Sequence, residues 1–509
     1  MPTPAARPLD HLALRGQADA PALRLRGGAL SYAGLEARVA RLAGWLGARL
    51  GSRGERIASW VPKSELACVL PLAAARAGLV HVPINPLLKR GQVAHILADS
   101  GAAALIANPA RLASLEPGDL ADADAVADAE ASALADELGA ALPPSSADPA
   151  DLAQILYTSG STGGPKGVML SHANLWLGAV SVAAYLGLAP DDRVLAVLPL
   201  SFDYGQNQLL SAWYAGASAA PLDYLTARDV VKAVARERIT TLAAVPPLWV
   251  QLLEQDWPEG TGASLRRLTN SGGALTPALV HRLRALFPAA ALYPMYGLTE
   301  AFRSTFLDPA LVEAHPTSIG RAIPLAEVTV VRDDGAEAAA DEEGELVHAG
   351  PLVAQGDWRD PARTAERFRP APAFSHYGGV AVWSGDRVRR DAQGLLHFVG
   401  RRDAMIKTSG NRVSPQEVED AALATGLVAE AVALGVPDAR LGQAIHLVAR
   451  AAPGVDAARA EGLSALLARA LPTFMVPAAV HWRATMPTGA NGKLDRVGLA
   501  RELSAAPAA

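Results

Sequence analysis

Cysteine is almost absent from this chain: Cys68 stands alone among 509 residues. A single thiol has no partner for a disulfide, and its setting, Leu66-Ala67-Cys68-Val69-Leu70, reads as a small core residue. Long apolar runs are missing too. No stretch reaches the roughly eighteen residues a membrane span needs, because Arg76 interrupts the best candidate. Met1 to Asp10 carries prolines and an early acid instead of a basic segment followed by an apolar one, so no secretory signal is expected. Basic clusters are lacking as well: 46 lysines and arginines are scattered among 51 acids, for a net charge of −5, which leaves no footprint for nucleic acid. No internal repeat is visible. These absences lead us to expect a cytoplasmic protein with no membrane insertion and no nucleic-acid partner. Its length exceeds what one hydrophobic core supports, so at least two domains are expected.

What the chain does have is concentrated in Tyr157-Thr158-Ser159-Gly160-Ser161-Thr162-Gly163-Gly164-Pro165-Lys166-Gly167. Apolar runs on either side, Leu152 to Leu156 and Gly167 to Leu170, predict two strands joined by this loop. Glycines let a backbone approach phosphate oxygens, hydroxyls donate hydrogen bonds, and Lys166 brings a mobile positive charge. The combination predicts a polyphosphate cradle for ATP, with Thr158, Ser159, Gly160, Ser161, Thr162, Gly163 and Lys166 as its residues. It is not a Walker loop, in which lysine directly follows glycine and a helix begins at once. Here Pro165 intervenes, glycine follows the lysine, and the next residues favour a strand. A flexible Gly/Ser linker would not sit between two apolar strands with a lysine at its tip.

Downstream, from Asp151 to about Leu292, strand-like runs such as Val194 to Leu198 and Thr241 to Val245 alternate with helical stretches such as Ala227 to Arg238. That alternation predicts parallel sheets covered by helices. The stretch from about Ala110 to Ala150, rich in Ala, Asp and Glu, reads as surface helices and a loop. Around Gly400 a β-rich, turn-rich region gives way to a short α+β unit. Ser414-Pro415-Gln416-Glu417 predicts a helix start with a capping box. Strands over Val428 to Val436 and Ala444 to Ala449 and a helix from about Ala457 to Ala470 follow.

Six further segments come after the phosphate loop: Asn270-Ser271-Gly272-Gly273-Ala274, Tyr296-Gly297-Leu298-Thr299-Glu300, Ser384-Gly385-Asp386, Gly400-Arg401-Arg402-Asp403, Lys407-Thr408-Ser409-Gly410-Asn411-Arg412 and Asn491-Gly492-Lys493-Leu494. In this order, over nearly the whole chain, they resemble the adenylate-forming superfamily of acyl-CoA ligases, peptide-synthetase adenylation domains and luciferases. The resemblance implies an α/β fold: a large N-terminal domain, residues 1–402, of parallel sheets covered by helices plus a β-rich subdomain, then a small mobile α+β domain, residues 403–509, hinged at Asp403. It implies that Lys493 bridges the substrate carboxylate and the α-phosphate, that Thr299 and Glu300 are catalytic with Glu300 holding Mg2+, and that Gly410 lines the path of an incoming thiol. Tyr296 suits stacking on adenine beside the uncluttered Gly272-Gly273-Ala274 turn, Asp386 has two acceptors for a ribose diol, and Arg401 reaches the same sugar or a phosphate. Two departures stand out: Ser384 where threonine is usual, and Gly356-Asp357-Trp358 where the family has Gly-Tyr-Trp.

The implied reaction activates a small carboxylic acid with ATP, releases pyrophosphate, and passes the acyl group to a thiol. That thiol comes from outside, as coenzyme A or as the phosphopantetheine of a separate acyl or peptidyl carrier protein. At finer scale Ser201 to Gly205, Leu222 to Leu225, Val245 to Trp249 and Tyr296 to Phe306 resemble the acyl-CoA ligases associated with the exosortase A system. Phe202, Asp203 and Trp249 are the candidate substrate pocket. Asp203 matches the aspartate that holds the ammonium in amino-acid-activating relatives; either an amino acid satisfies it, or a hydrogen bond to backbone or Tyr204 does and the pocket takes a plain acyl chain. A stand-alone amino-acid adenylating enzyme and a luciferase-like monooxygenase are the alternatives. A silent nucleotide-binding regulator would be expected to lack Lys166, Glu300, Asp386 and Lys493, and all four are present.

Overall fold

The computed structural model describes residues 4–51, 53–159, 165–401, 404–408, 411–438, 441–456 and 460–505. Its largest sheet begins with parallel strands in the spatial order Pro21–Leu25, Ser218–Pro221, Arg193–Ala196, Thr241–Ala244, Arg267–Asn270 and Ala291–Tyr296. All four residues of Thr241–Ala244 are buried, as expected of a strand covered on both faces. Helices Asp203–Tyr214, Ala227–Glu237, Pro246–Leu253 and Pro277–Leu286 alternate with these strands along the chain. Such a sheet offers its ligand crevice at the carboxyl ends of its strands. Asn270 and Tyr296 are the last residues of two of them.

A second sheet sets Leu152–Ser159, Val80–Pro83, Arg56–Trp60, Ala104–Ala107 and Asp124–Ala127 parallel in that order, with Pro165–Ser171 antiparallel beside the first. The edge strand Asp124–Ala127 lies in the segment read from sequence as helices and loop. Only Val126 of its four residues is fully buried, so a single apolar contact left no alternation to see. The helix Asp128–Leu138 follows it directly.

The β-rich subdomain continues the large sheet. Thr305–Phe306 pairs with the end of Ala291–Tyr296, and Ser318–Ala322, Leu396–Arg401, Val380–Arg390, Glu343–Ala349 and Glu327–Val331 continue the sheet antiparallel. The last part of the chain builds its own sheet from Ile406–Thr408, Asn411–Val413, Val428–Asp438, Gly442–Ala451 and Ala479–Trp482. Val418, Ala433, Leu447, Leu463 and Leu467 form its core. The helix Pro415–Ala424 starts where the sequence predicts, but without the capping box: the Ser414 hydroxyl donates instead to the Val399 carbonyl and ties this helix to the large sheet. Within 457–470 the helix Leu463–Ala470 is described, and 457–459 lie outside the described residues.

Cys68 is fully buried in the helix Glu65–Arg76, where burial pushes its thiol up to about 12, so it stays protonated and inert. Arg76, which breaks the apolar run, is buried against Asp10 and Glu36. Among the described residues no helix is long and apolar enough to cross a membrane.

Candidate active site

The hairpin Leu152–Ser159 and Pro165–Ser171 pairs Thr158 with Lys166 across its mouth. Its tip, including Gly160, Ser161, Thr162 and Gly163, lies outside the described residues, as do Asp403 and Gly410. Gly167 has no room for a side chain, since a Cβ would come within 2.6 Å of Ile155 Cγ2. The Thr158 hydroxyl is buried with no hydrogen-bond partner. Lys166 Nζ lies 3.1 Å from Glu300 Oε1 and 3.9 Å from Asp357 Oδ1. Arg367 donates to the same Glu300 oxygen at 2.7 Å. Burial alone would raise the Glu300 carboxyl, but Lys166 and Arg367 outweigh it and hold it below its ordinary value. A short helical turn, Thr299–Ala301, buries Thr299 and Glu300 just past the strand end at Tyr296.

Asp357, the departure from Gly-Tyr-Trp, belongs to this cluster. The strand Gly356–Asp357 pairs with Val168 and Met169 beside Lys166. Both Asp357 carboxylate oxygens are buried without a hydrogen bond, and burial pushes the group up while Lys166 pulls it back. Two hard carboxylates flanked by cations form a donor set suited to a divalent cation shared with phosphate oxygens.

On the other side of the crevice, Tyr296 donates to Asp386 Oδ2 at 2.5 Å, and Arg401 Nε donates to Asp386 Oδ1 at 2.9 Å. Asp386 and Arg401 are register partners on neighbouring strands. The Ser384 hydroxyl bonds the Leu346 carbonyl and accepts from the Asp386 amide, so serine supplies all that this turn requires of a hydroxyl residue. Gly385 takes φ +72°, the kink that aims Asp386 inward. Burial raises the Asp386 carboxyl despite Arg401.

Lys493 arrives from the small domain on a tight turn, in which the Gly489 amide donates to the Lys493 carbonyl at 2.7 Å and Gly492 adopts φ +75°. Asn85 clamps this turn from the large domain by donating to the Ala490 carbonyl at 2.8 Å and to Asn491 Oδ1 at 2.9 Å. A second contact, Arg450 to Glu254 at 3.0 Å, joins the same two parts. The Lys493 stem lies on Gly272, where a Cβ would come within 2.6 Å of Cε. Its ammonium sits 4.8 Å above the Phe202 ring. Burial lowers the Lys493 ammonium, and Asp203 opposes that shift. Gly273 packs near Pro246.

Asp203, at the start of the helix Asp203–Tyr214, has the foreseen backbone bond at Tyr204 and, beside it, a cation. Its carboxylate lies 3.7 Å from Arg303, a cation that the sequence reading missed although it falls within the matched stretch Tyr296 to Phe306. A weaker backbone bond at Tyr204 adds to it, and burial raises the group overall. Arg303 is only 2 % exposed, stacks over the Tyr204 ring at 4.6 Å, and keeps its Nε unpartnered. Beside it lies a cavity of about 20 Å³ lined by Tyr204, Asn207, Gln208, Thr241, Met295 and Arg303 among others. Asn207 Nδ2, both amide atoms of Gln208 and Thr241 Oγ1 are buried there without partners, each at a cost of about 1–3 kcal/mol. Trp249 does not line this cavity; it is fully buried in the apolar cluster with Phe202, Tyr204 and Leu248.

Residues 10–358 match the AMP-binding enzyme family, and residues 417–493 match the AMP-binding enzyme C-terminal domain. The chain is 34% identical over 484 residues to a feruloyl-CoA synthase from an Amycolatopsis species, covering 93% of this chain and 94% of that one. It is 32% identical over 489 residues to the L-proline–[L-prolyl-carrier protein] ligase of Pseudomonas fluorescens, with the same coverage, 93% and 94%. Among solved structures it is similar to ATP-bound MatB from Rhodopseudomonas palustris, with a TM-score of 0.87 at 26% identity over 98% of this chain and 99% of that one. The apo form of that protein gives 0.78.

Proposed function

We propose, for a chain that belongs to the AMP-binding enzyme family, that it joins a small carboxylic acid to AMP with release of pyrophosphate and then transfers the acyl group to the thiol of coenzyme A. The observation that carries this reading is the position of Lys493, which the small domain inserts between Phe202, Asp203 and Gly272 at the carboxyl ends of the parallel strands. Attack of a carboxylate on the α-phosphorus brings two anions together, so cationic groups must already be in place. Lys493 serves the reacting oxygens. Thr158 and Lys166 face the phosphates, Asp386 with Arg401 holds the ribose, and Tyr296 borders the base beside Gly272, Gly273 and Ala274. Glu300 and Asp357 would hold Mg2+, which, when bound, supplies charge neutralisation on the triphosphate. As they stand, Lys166 and Arg367 pair with Glu300; with nucleotide bound, these cations would face phosphate oxygens and Glu300 would be available to hold the metal.

Thioester formation needs Lys493 withdrawn, which requires the Asn85 clamp and the Arg450–Glu254 contact to break while the domain comprising residues 403–509 turns about Asp403, past Gly410. The higher similarity to an ATP-bound relative than to its apo form supports reading the present arrangement as the adenylating one. The test is thioester analysis after incubation with ATP, Mg2+, coenzyme A and a panel of acids: an acyl-CoA product supports the reading, whereas adenylate formation without any coenzyme A ester overturns its second half. A carrier protein as acceptor is the second reading, favoured by the 32% identity to a prolyl-carrier ligase, and loading of a phosphopantetheinylated carrier would reveal it.

Two predictions arise here. Lys493 must be protonated to act, so activity falls as pH rises through its lowered pKa. Asp203→Asn removes a carboxylate that holds the proton on, so the alkaline limb of kcat/KM moves to lower pH; an unmoved or raised limb contradicts the arrangement. Asp357→Asn should raise the Mg2+ concentration for half-maximal activity by about 10-fold, with an unchanged requirement arguing that Asp357 only balances Lys166.

A further inference from the structure

We infer that the acid accepted by this site is short and ends in a neutral group that both donates and accepts hydrogen bonds, a hydroxyl or a carboxamide, docked against Asn207, Gln208 and Arg303. The inference rests on the adenylating reading above and specifies its substrate. Its starting point is the cavity behind Tyr204, which is lined by Arg303, the partner of Asp203, whose charge acts on Lys493. We place here the far end of an acid whose carboxyl meets Lys493.

Charge, chemistry and size each narrow that other end. Arg303 faces Asp203 at 3.7 Å, so the pocket is already balanced. An ammonium or a second carboxylate would find its counter-ion already paired, Asp203 with Arg303. A plain hydrocarbon end would cover polar atoms that no protein group satisfies: Asn207 Nδ2, Gln208 Nε2 and Oε1, Thr241 Oγ1 and Arg303 Nε are all buried without protein partners. The side chains that carry them belong to residues 2–4% exposed. The set mixes donors with an acceptor, and only a group that does both can answer it. A volume of about 20 Å³ suits a small polar end group.

The deciding experiment is acid-dependent ATP–pyrophosphate exchange with a size-matched panel: short hydroxy acids and carboxamide acids, their plain methyl-ended isosteres, short dicarboxylates, short amino acids and a long-chain fatty acid. The hydroxy or carboxamide acids should exceed their methyl-ended isosteres in kcat/KM by about 10²-fold or more, because a site built to hydrogen-bond a group discriminates strongly against analogues that lack it. Gln208→Leu should collapse that ratio towards one, chiefly through KM. Arg303→Met leaves Asp203 buried without its partner and is prone to misfold, so Gln208→Leu carries the test, and the ratio, unlike total activity, does not respond to a merely structural role. Exchange driven best by a plain, fatty, dicarboxylic or amino acid overturns the inference and leaves the adenylating reading standing. An unchanged ratio in Gln208→Leu also overturns it. Bound ATP with no exchange for any acid removes the adenylating reading and the inference together.

Discussion

Replacing Lys493 with alanine lowers acid-dependent pyrophosphate release by about 10²–10³-fold, the loss of one preorganised charge from a site where negative charge develops. ATP binding survives largely intact, because Thr158, Lys166, Asp386 and Arg401 stand on the large domain and do not depend on this side chain. Folding survives as well: Lys493 reaches its place on a half-buried turn whose hydrogen bonds, Gly489 to the Lys493 carbonyl and Asn85 to the Ala490 carbonyl, use backbone acceptors that alanine retains. Equilibrium binding of ATP alongside pyrophosphate release separates the two steps. A variant that loses both equally would mean that Lys493 holds nucleotide and not the reacting oxygens.

Glu300→Gln should have the next largest effect, a fall of about 10²-fold in the same assay with a higher Mg2+ requirement. The substitution keeps the shape of the side chain and removes the one charge that Lys166 and Arg367 share. Those cations are partly exposed, with side chains 14% and 24% accessible, so water can take over and the fold should hold. The carboxyl lies below its ordinary value, so it is ionised at neutral pH. Its contribution to stability is present above the ordinary glutamate range and is lost as pH falls through the lowered pKa; Glu300→Gln should therefore unfold with less sensitivity to acid. An unaltered Mg2+ titration would show that Glu300 positions Lys166 and does not hold the metal.

The sequence was informative where chemistry and local structure coincide. The phosphate hairpin was legible because apolar runs bracket a Gly-rich tip, and Leu152–Ser159 and Pro165–Ser171 form as that pattern requires. Lys166, Glu300, Asp386, Arg401 and Lys493 were legible through motifs in chain order, and the fold brings them to one crevice from different strands and from both parts of the chain. What stayed hidden depends on distant partners. Arg367 reaches Glu300 across 67 positions, and nothing in its helix Pro361–Arg367 marks it for that task. Arg303 is buried against Asp203 from a separate element, so a sequence that shows the carboxylate does not show what neutralises it. Asp357 was visible only as a departure, and pairing with the strand of Lys166 gives it meaning. Trp249 shares its apolar cluster with Phe202 and Tyr204 and does not line the cavity beside Arg303. Ser414 shows that a capping pattern yields when a better acceptor, the Val399 carbonyl, lies within reach.

The most direct test of the central claim is ATP–pyrophosphate exchange by the purified protein in the absence of any thiol. The account predicts exchange that requires a carboxylic acid and Mg2+, yields AMP and pyrophosphate with no ADP, and disappears in Lys493→Ala. Formation of ADP and phosphate, or exchange that persists without Lys493, would contradict it.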